Sequence, residues 1–270
     1  MEWEQILNQI IKTIKEAIPK ENFEEENFDN DNIDYIEPVE VLENQDFSHL
    51  TEEEIKEKLP SFIDHTILKA NAQLSDIDKV IDEALEYNFY SVCVNSCYTS
   101  HVAQRLSGSK VKTCTVVGFP LGAMSTKAKA FEAKKAVEDG SDEIDMVINI
   151  GALKAQDYTT VLNDISAVVK ASYPAKVKVI IETSYLNEDE KIVACTLSKT
   201  AGAHFVKTST GFSDKGATAE DIALMRKMVG PNMGVKASGG VRDQKTAIEM
   251  IKAGASRIGA SSSIKIVKGE

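Results

Sequence analysis

From residue 61 onward, short apolar runs alternate with longer stretches in which apolar residues recur every three or four positions. The apolar runs predict eight β-strands: Phe62–Ile67, Tyr90–Val94, Lys112–Val117, Glu143–Ile148, Val177–Glu182, Ala203–Lys207, Met233–Lys236 and Arg257–Gly259. The stretches between them predict helices at residues 75–88, 97–106, 125–139, 155–171, 188–201, 218–229 and 243–253. Eight such alternations predict a parallel sheet that closes into a (β/α)8 barrel, the TIM-barrel fold.

An open, doubly wound sheet is the alternative fold for this alternation of strands and helices. Its first strand is usually followed by a glycine-rich turn that binds phosphate. Residues 64–68, at the end of the first predicted strand, contain no glycine. The sequence therefore favours the closed barrel over the open sheet.

The first 46 residues differ from the rest of the chain in both pattern and charge. Residues 1–18 predict one amphipathic helix, because eight apolar residues recur at three- and four-residue steps until a proline ends the pattern. Residues 20–46 hold eleven Asp and Glu against Lys20 alone, which is typical of a solvated linker. We therefore divide the chain into an N-terminal helix with an acidic linker, residues 1–46, and a barrel domain, residues 47–270.

Charge is concentrated at the N-terminal end. Residues 1–60 hold 18 Asp and Glu against 5 Lys and Arg, whereas residues 61–270 hold 24 against 26. The barrel thus lacks the basic surface that nucleic-acid binding requires, and no apolar run approaches the ~20 residues of a membrane span. The four cysteines lack metal-ligand spacing, so we expect no metal or other cofactor and a reducing, cytoplasmic setting.

Two lysines stand at the C-terminal ends of predicted strands, which form the catalytic face of such a barrel. Lys207 ends one apolar run and is followed by small hydroxyl residues and Gly211. Lys236 repeats the pattern one β/α unit later, so the two should lie on neighbouring strands, about 4.8 Å apart. Desolvation and a neighbouring cation favour the neutral form of one lysine, which can form a Schiff base. The alternative is a pair of ordinary strand-end lysines that reach solvent.

Alternation along one strand directs Asp145 into the barrel, because the apolar residues on either side of it should face the helices. A carboxylate near the two lysines can relay protons. Glu143, Lys178 and Glu182 should also point inward, and we assign them to a structural network, since buried charges are costly unless paired. Membership of that network is also the alternative role of Asp145.

Two loops rich in glycine and serine predict an anion site. Residues 238–240 follow the seventh strand and residues 259–263 follow the eighth, and these loops usually bind phosphate in such barrels. Glycines let backbone N–H groups approach a phosphate, and serines add hydroxyl donors. A flexible turn and a solvated tail are the alternative, but both loops should lie beside the lysine pair.

At these residues the sequence resembles the deoxyribose-phosphate aldolases, a family of class I, Schiff-base aldolases with a (β/α)8 fold. The motifs that carry the resemblance occur in the family's order between about residues 50 and 263: Asp64-His65-Thr66, Val92-Cys93-Val94-Asn95, Val117-Gly118-Phe119-Pro120-Leu121-Gly122, Glu143-Ile144-Asp145-Met146-Val147-Ile148-Asn149, Lys178-Val179-Ile180-Ile181-Glu182-Thr183, Phe205-Val206-Lys207-Thr208-Ser209-Thr210-Gly211, Val235-Lys236-Ala237-Ser238-Gly239-Gly240 and Gly259-Ala260-Ser261-Ser262. Together these motifs are highly specific.

The resemblance implies reversible cleavage of 2-deoxy-D-ribose 5-phosphate to D-glyceraldehyde 3-phosphate and acetaldehyde, without a metal. It implies that Lys207 forms the imine, that Lys236 activates Lys207 and that Asp145 transfers protons. The residues that would bind the substrate or its phosphate are Thr66, Gly211, Gly239, Gly240, Ser261 and Ser262. Phe212 stands where some members have a lysine, so phosphate binding should depend more on the glycine loops. The family is commonly dimeric, so a homodimer or higher homo-oligomer is expected.

Two other functions stay open from the sequence. A Schiff-base aldolase acting on another sugar phosphate would share the lysine pair and the phosphate loops. A catalytically silent barrel that serves as a cargo or scaffold module would need neither, so Lys207, Lys236 and Asp145 argue against it.

The apolar face of the helix predicted at residues 1–18 needs a surface to cover it. The helix resembles the peptides that recruit enzymes into the protein shells of bacterial microcompartments, and a shell protein is therefore a candidate partner. Packing of the helix on its own barrel, or across a dimer interface, accounts for the apolar face equally well.

Overall fold

The computed structural model describes residues 8, 12 and 42–270. Its parallel strands are Ile63–Thr66 (β1), Ser91–Val94 (β2), Lys112–Val117 (β3), Glu143–Val147 (β4), Lys176–Ile180 (β5), Phe205–Lys207 (β6), Gly234–Ser238 (β7) and Arg257–Ala260 (β8). Each strand pairs with the next one along the chain, and β1 pairs with β8. The sheet is therefore closed, which confirms the predicted (β/α)8 barrel.

Helices surround the barrel wall. They are Glu52–Lys58 (α1), Leu74–Tyr87 (α2), Thr99–Leu106 (α3), Thr126–Glu138 (α4), Ile150–Lys154 (α5), Tyr158–Ala171 (α6), Glu188–Thr200 (α7), Ala219–Val229 (α8), Gln244–Lys252 (α9) and Ser263–Lys268 (α10). Short 3-10 helices cover Leu59–Phe62, Ser96–Tyr98 and Thr183–Tyr185. Across residues 42–270, no helix is long and apolar enough to cross a membrane.

Strand alternation separates an apolar outer face from a polar interior. On β4, Ile144 and Met146 are fully buried in the core between the wall and the helices, whereas Asp145 between them points into the barrel. Lys178 on β5 and Lys236 on β7 likewise stand between buried apolar residues. Each buried large aliphatic side chain contributes about 1.5–3 kcal/mol. The outer face thus stabilises the barrel and leaves the inward positions for charged side chains.

Three local features differ from the sequence prediction. The short helices α5 and α10 are not predicted, because five or six residues are too few to show a helical period. The start of α5 is set by a side-chain cap, in which Asn149 accepts a hydrogen bond from the backbone N–H of Ala152 at 3.0 Å. Strand β5 ends at Ile180, two residues early, because Glu182 has a left-handed backbone with φ of 54°.

Part of the predicted linker contacts the barrel. The backbone N–H of Gln45 donates to the carbonyl of Pro231 at 2.7 Å, and Arg226 donates through Nη2 to the carbonyl of Gln45 at 3.0 Å. Residues 42–46 therefore lie against the barrel domain. Apart from two positions, the helix predicted at residues 1–18 lies outside the described part of the chain, as does the rest of the linker.

Candidate active site

Among the described residues, seven acidic and basic side chains form one connected network of ion pairs in the barrel interior. They come from six strands, and all are buried: Asp64, Glu143, Asp145, Lys178, Lys207, Lys236 and Arg257. Four cations therefore face three carboxylates. Charges buried this closely are tolerated only where each group has a near partner of opposite sign.

Asp145 lies at the centre of the network. Its Oδ2 accepts hydrogen bonds from Nζ of Lys207 at 2.8 Å and from Nζ of Lys236 at 2.7 Å. Its Oδ1 accepts from Nζ of Lys178 at 2.9 Å and from the thiol of Cys114 at 3.2 Å. Burial alone would raise the pKa of Asp145, but the three lysines outweigh burial and hold this pKa well below its ordinary value. The structure thus brings Asp145, Lys207 and Lys236 together, and we call these three residues the mouth cluster.

The two lysines of the mouth cluster have different surroundings. They are register partners on β6 and β7, but Nζ of Lys236 also lies 2.5 Å from Oδ2 of Asp64. Burial alone would lower the pKa of Lys236, but Asp145 and Asp64 together raise it above its ordinary value. Lys236 is therefore held as a cation by two carboxylates. Among the described residues, Lys207 has one ion-pair partner, the Asp145 oxygen that it shares with Lys236.

A second group of charges, which we call the floor cluster, consists of Glu143, Lys178 and Arg257. Oε2 of Glu143 lies 2.6 Å from Nζ of Lys178 and 3.1 Å from Nη1 of Arg257. The same guanidinium lies 2.9 Å from Oδ1 of Asp64 and 3.3 Å from the ring centre of Tyr90. These contacts agree with the structural role predicted for Glu143 and Lys178.

Contrary to the prediction, Glu182 has no cation as a partner among the described residues. Its left-handed backbone ends the strand alternation on which the prediction was based. Its Oε2 accepts hydrogen bonds from the backbone N–H of Thr210 at 3.1 Å and from its hydroxyl at 2.5 Å. Its Oε1 accepts from the hydroxyl of Ser213 at 2.8 Å. Glu182 therefore fixes the loop after β6 that carries Gly211.

A cavity of about 680 Å³ opens at the C-terminal ends of the strands, and Lys207 lies in its wall. The same wall contains all the residues predicted to bind substrate or phosphate: Thr66, Gly211, Gly239, Gly240, Ser261 and Ser262. Gly239 and Gly240 have φ of 80° and 81°, a conformation that residues with a side chain rarely adopt. The cavity wall therefore combines a buried lysine amine with glycine- and serine-rich loops.

Other residues of the cavity wall stand outside the predicted set of substrate-binding residues, although Ser238 belongs to the predicted anion loop at residues 238–240. Ser238 stands two positions after Lys236 on the inward face of β7, and its buried hydroxyl has no hydrogen-bond partner among the described residues. Arg242 also lines the cavity. Phe212, which is 58% exposed, packs edge-to-face against Phe119 with ring centres 5.3 Å apart.

Within the described residues, one group combines three side chains that could ligate a metal ion. Ligand atoms of Cys93, Cys114 and Asp145 all lie within 4.8 Å of one another. The ammonium groups of Lys178, Lys207 and Lys236 already bind both oxygens of that carboxylate. A metal ion at this position would therefore compete with three cations for one ligand.

Comparison with known proteins extends this description. A family model described as DeoC/LacD family aldolase matches residues 60–268. A deoxyribose-phosphate aldolase of Streptococcus gordonii is 61% identical over 213 residues, which cover 79% of this chain and 97% of that protein. Its counterpart in Thermococcus kodakarensis is 59% identical over 219 residues, which cover 79% and 97%. The tetrameric deoxyribose phosphate aldolase of Aeropyrum pernix is 34% identical, with a TM-score of 0.75, over 83% of this chain and 94% of that one.

Proposed function

The chain belongs to the DeoC/LacD family of aldolases, and we propose that it reversibly cleaves 2-deoxy-D-ribose 5-phosphate to D-glyceraldehyde 3-phosphate and acetaldehyde. One observation carries the chemistry: a single carboxylate oxygen of Asp145 binds Lys207 at 2.8 Å and Lys236 at 2.7 Å beside a cavity with glycine- and serine-rich walls. The named relatives support the choice of substrate.

Lys207 is the proposed nucleophile. Attack on an aldehyde requires a neutral amine, and the interior holds one cation more than it holds carboxylates. The amine of Lys207 contacts one carboxylate oxygen, which it shares with Lys236, and Lys207 also lines the cavity. Its Nζ adds to C1 of the open-chain sugar, and the resulting carbinolamine loses water to give a protonated imine.

The imine accepts the electrons of the bond that breaks. A base removes the proton of the C3 hydroxyl, the C2–C3 bond cleaves, and C3 leaves as the aldehyde carbon of glyceraldehyde 3-phosphate. The electron pair forms an enamine on Lys207. Protonation of the enamine at C2 and addition of water then release acetaldehyde and restore the amine.

Asp145 is the proposed proton-transfer group for these steps. It contacts the nucleophile directly, and positioned acid–base groups typically contribute about 10²–10⁴-fold in rate. Lys236, held as a cation by Asp64 and Asp145, favours the neutral form of Lys207 by charge repulsion.

The phosphate end of the substrate is assigned to the loops after β6, β7 and β8. Gly211, Gly239 and Gly240 would offer backbone N–H groups, and Ser261 and Ser262 would add hydroxyl donors. Binding energy gained at this end holds the reacting carbon against Lys207.

Borohydride trapping tests the proposal. Reduction in the presence of acetaldehyde should leave an ethyl group on Lys207, located by peptide mass mapping. Lys236 is the internal control, because it is a buried lysine that contacts the same Asp145 oxygen and should stay unlabelled. Labelling of Lys236 in place of Lys207 would reverse the two roles, and the lack of any labelled lysine would contradict the Schiff-base mechanism.

We further propose that the protein is a cytoplasmic homo-oligomer, a homodimer or larger, and that the helix predicted at residues 1–18 binds a microcompartment shell protein. The apolar stripe of the helix and the acidic linker support the recruitment, and the tetrameric Aeropyrum relative supports assembly. Deleting residues 1–41 preserves the contacts of Gln45 with the barrel. The deletion should leave aldolase kinetics unchanged and abolish co-purification with the shell protein, whereas dissociation of the oligomer would make the helix structural.

A further inference from the structure

His65 is a buried histidine on the outward face of β1, with both ring nitrogens in hydrogen bonds. Its Nε2 lies 2.7 Å from Oε2 of Glu83 on α2. Its Nδ1 lies 2.8 Å from the hydroxyl oxygen of Ser263, the first residue of α10. The ring thus joins two helices and the first strand, yet it takes no part in the ion network of the interior.

The chemistry of the partners fixes the direction of these hydrogen bonds. A carboxylate only accepts hydrogen bonds, so Nε2 of His65 carries a hydrogen and donates it in a hydrogen bond to Glu83. Burial lowers the pKa of His65 and favours the neutral ring, whose Nδ1 can then only accept. The hydroxyl of Ser263 also lies 3.0 Å from the carbonyl oxygen of Ala260, which is the register partner of His65 on β8. The single hydroxyl hydrogen of Ser263 is therefore shared between Nδ1 and the carbonyl oxygen of Ala260.

These contacts fix both ends of the loop that carries Ser261 and Ser262. Ala260 precedes the two serines and Ser263 follows them, and the fully buried Ser263 connects both ends to His65. Ser261 is exposed and Ser262 is half-buried at the cavity wall. The serine hydroxyls therefore keep their place through a side chain that lies outside the ion network of the interior.

We propose that His65 is a positioning residue for the phosphate end of the substrate, and that it acts through Ser263. The inference rests on the proposed function, because it assigns a phosphate to the loop between β8 and α10. It predicts that loss of the Nδ1 contact weakens binding of the phosphate group and leaves the reacting end intact.

Two conservative variants separate the contacts of His65. His65→Asn keeps an acceptor near the position of Nδ1 and loses the bond to Glu83. His65→Gln keeps a donor near the position of Nε2 and loses the bond to Ser263. His101→Gln is the matched control, because Nε2 of His101 also lies 2.7 Å from a carboxylate, that of Asp78, away from the cavity.

The readout is KM for 2-deoxyribose 5-phosphate compared with KM for unphosphorylated 2-deoxyribose. His65→Gln and Ser263→Ala should each raise KM for the phosphorylated sugar about fivefold, the loss typical of one hydrogen bond. Their double variant should be no worse than Ser263→Ala alone, because Ser263→Ala already removes the contact that His65→Gln removes. His65→Asn and His101→Gln should stay close to wild type, and KM for the unphosphorylated sugar should change in none of them.

Equal losses with both sugars, or an effect of His65→Asn as large as that of His65→Gln, would make His65 a residue of general structural importance and overturn the proposal. Calorimetric titration with inorganic phosphate gives an answer that does not depend on catalysis. Weaker phosphate binding by His65→Gln than by His101→Gln supports the positioning role, and equal binding contradicts it. A wild-type protein that binds phosphate but cleaves no sugar would refute the proposed function alone.

Discussion

The mouth cluster and the floor cluster use the same kinds of side chain but compensate their charges differently. In the floor cluster, the carboxylate of Glu143 lies within 3.1 Å of both Lys178 and Arg257. In the mouth cluster, two ammonium groups share one oxygen of Asp145, and one of the two, Lys207, also lines the cavity. Burial alone therefore does not distinguish a reactive lysine from a structural one. The two kinds of lysine differ in the number of carboxylate oxygens that the ammonium group contacts and in their access to the cavity.

The largest expected effect comes from removing the amine of Lys207 from the mouth cluster. Lys207→Ala should abolish detectable cleavage, because no Schiff base can form. The melting temperature should change little, since Asp145 keeps Lys178 and Lys236 as partners. An assay of glyceraldehyde 3-phosphate release, with melting followed by circular dichroism, measures both quantities. Turnover near the wild-type rate would remove Lys207 from the mechanism.

Asp145→Asn tests the shared carboxylate and keeps the shape of the side chain. Turnover should fall by about 10²–10⁴-fold, because an amide cannot exchange the protons that the steps require. Since Asp145 contacts three lysines, we also expect a measurable loss of stability. Single-turnover kinetics, together with urea unfolding, separates the two effects. A rate within a fewfold of wild type would place Asp145 with the structural ion pairs.

Glu143→Gln makes the corresponding change in the floor cluster. Removing one partner of a buried ion pair costs about 3–5 kcal/mol, so the urea midpoint should fall clearly, whereas turnover of the folded protein should stay within a fewfold. Glu52→Gln is the matched control, because its ion pair with Lys56, at 3.8 Å, is exposed and should contribute nothing measurable. A large loss of turnover without loss of stability would erase the distinction between the clusters.

The smallest expected effect concerns the edge of the cavity. Phe212→Lys would add a cation at an exposed position of the cavity wall. We expect KM for the phosphorylated sugar to fall by no more than about fivefold, because exposed charge pairs are weak, and the gain should decrease with added salt. The unphosphorylated sugar serves as the control. An equal change for both sugars would indicate that the loss of the Phe119 contact, not the new charge, is responsible.

The sequence predicted the barrel well because the period of two along each strand holds wherever the backbone stays extended. The same rule placed Asp145 and Lys178 inside. It failed at Glu182, where the left-handed backbone turns the side chain toward the loop after β6. It also missed α5, which depends on one cap by Asn149 and not on an apolar period.

Other parts of the site depend on contacts between strands that are distant in sequence. The sequence indicated that Asp145 and the lysines share the interior, but not that one oxygen serves Lys207 and Lys236 together. It also gave no reason to connect His65 with Ser263, which lies 198 positions later in the chain. Closure of β1 against β8 creates that contact, so only the folded barrel shows it.

The position of Lys207 relative to the phosphate loops has a kinetic consequence. Lys207 is 2% exposed, whereas Gly240 and Ser261 of the same cavity wall are exposed. In the proposed function, the two-carbon fragment is held at the buried lysine and the phosphorylated fragment at the exposed loops. We therefore expect an ordered reaction, in which the phosphorylated aldehyde departs first during cleavage and binds last during synthesis.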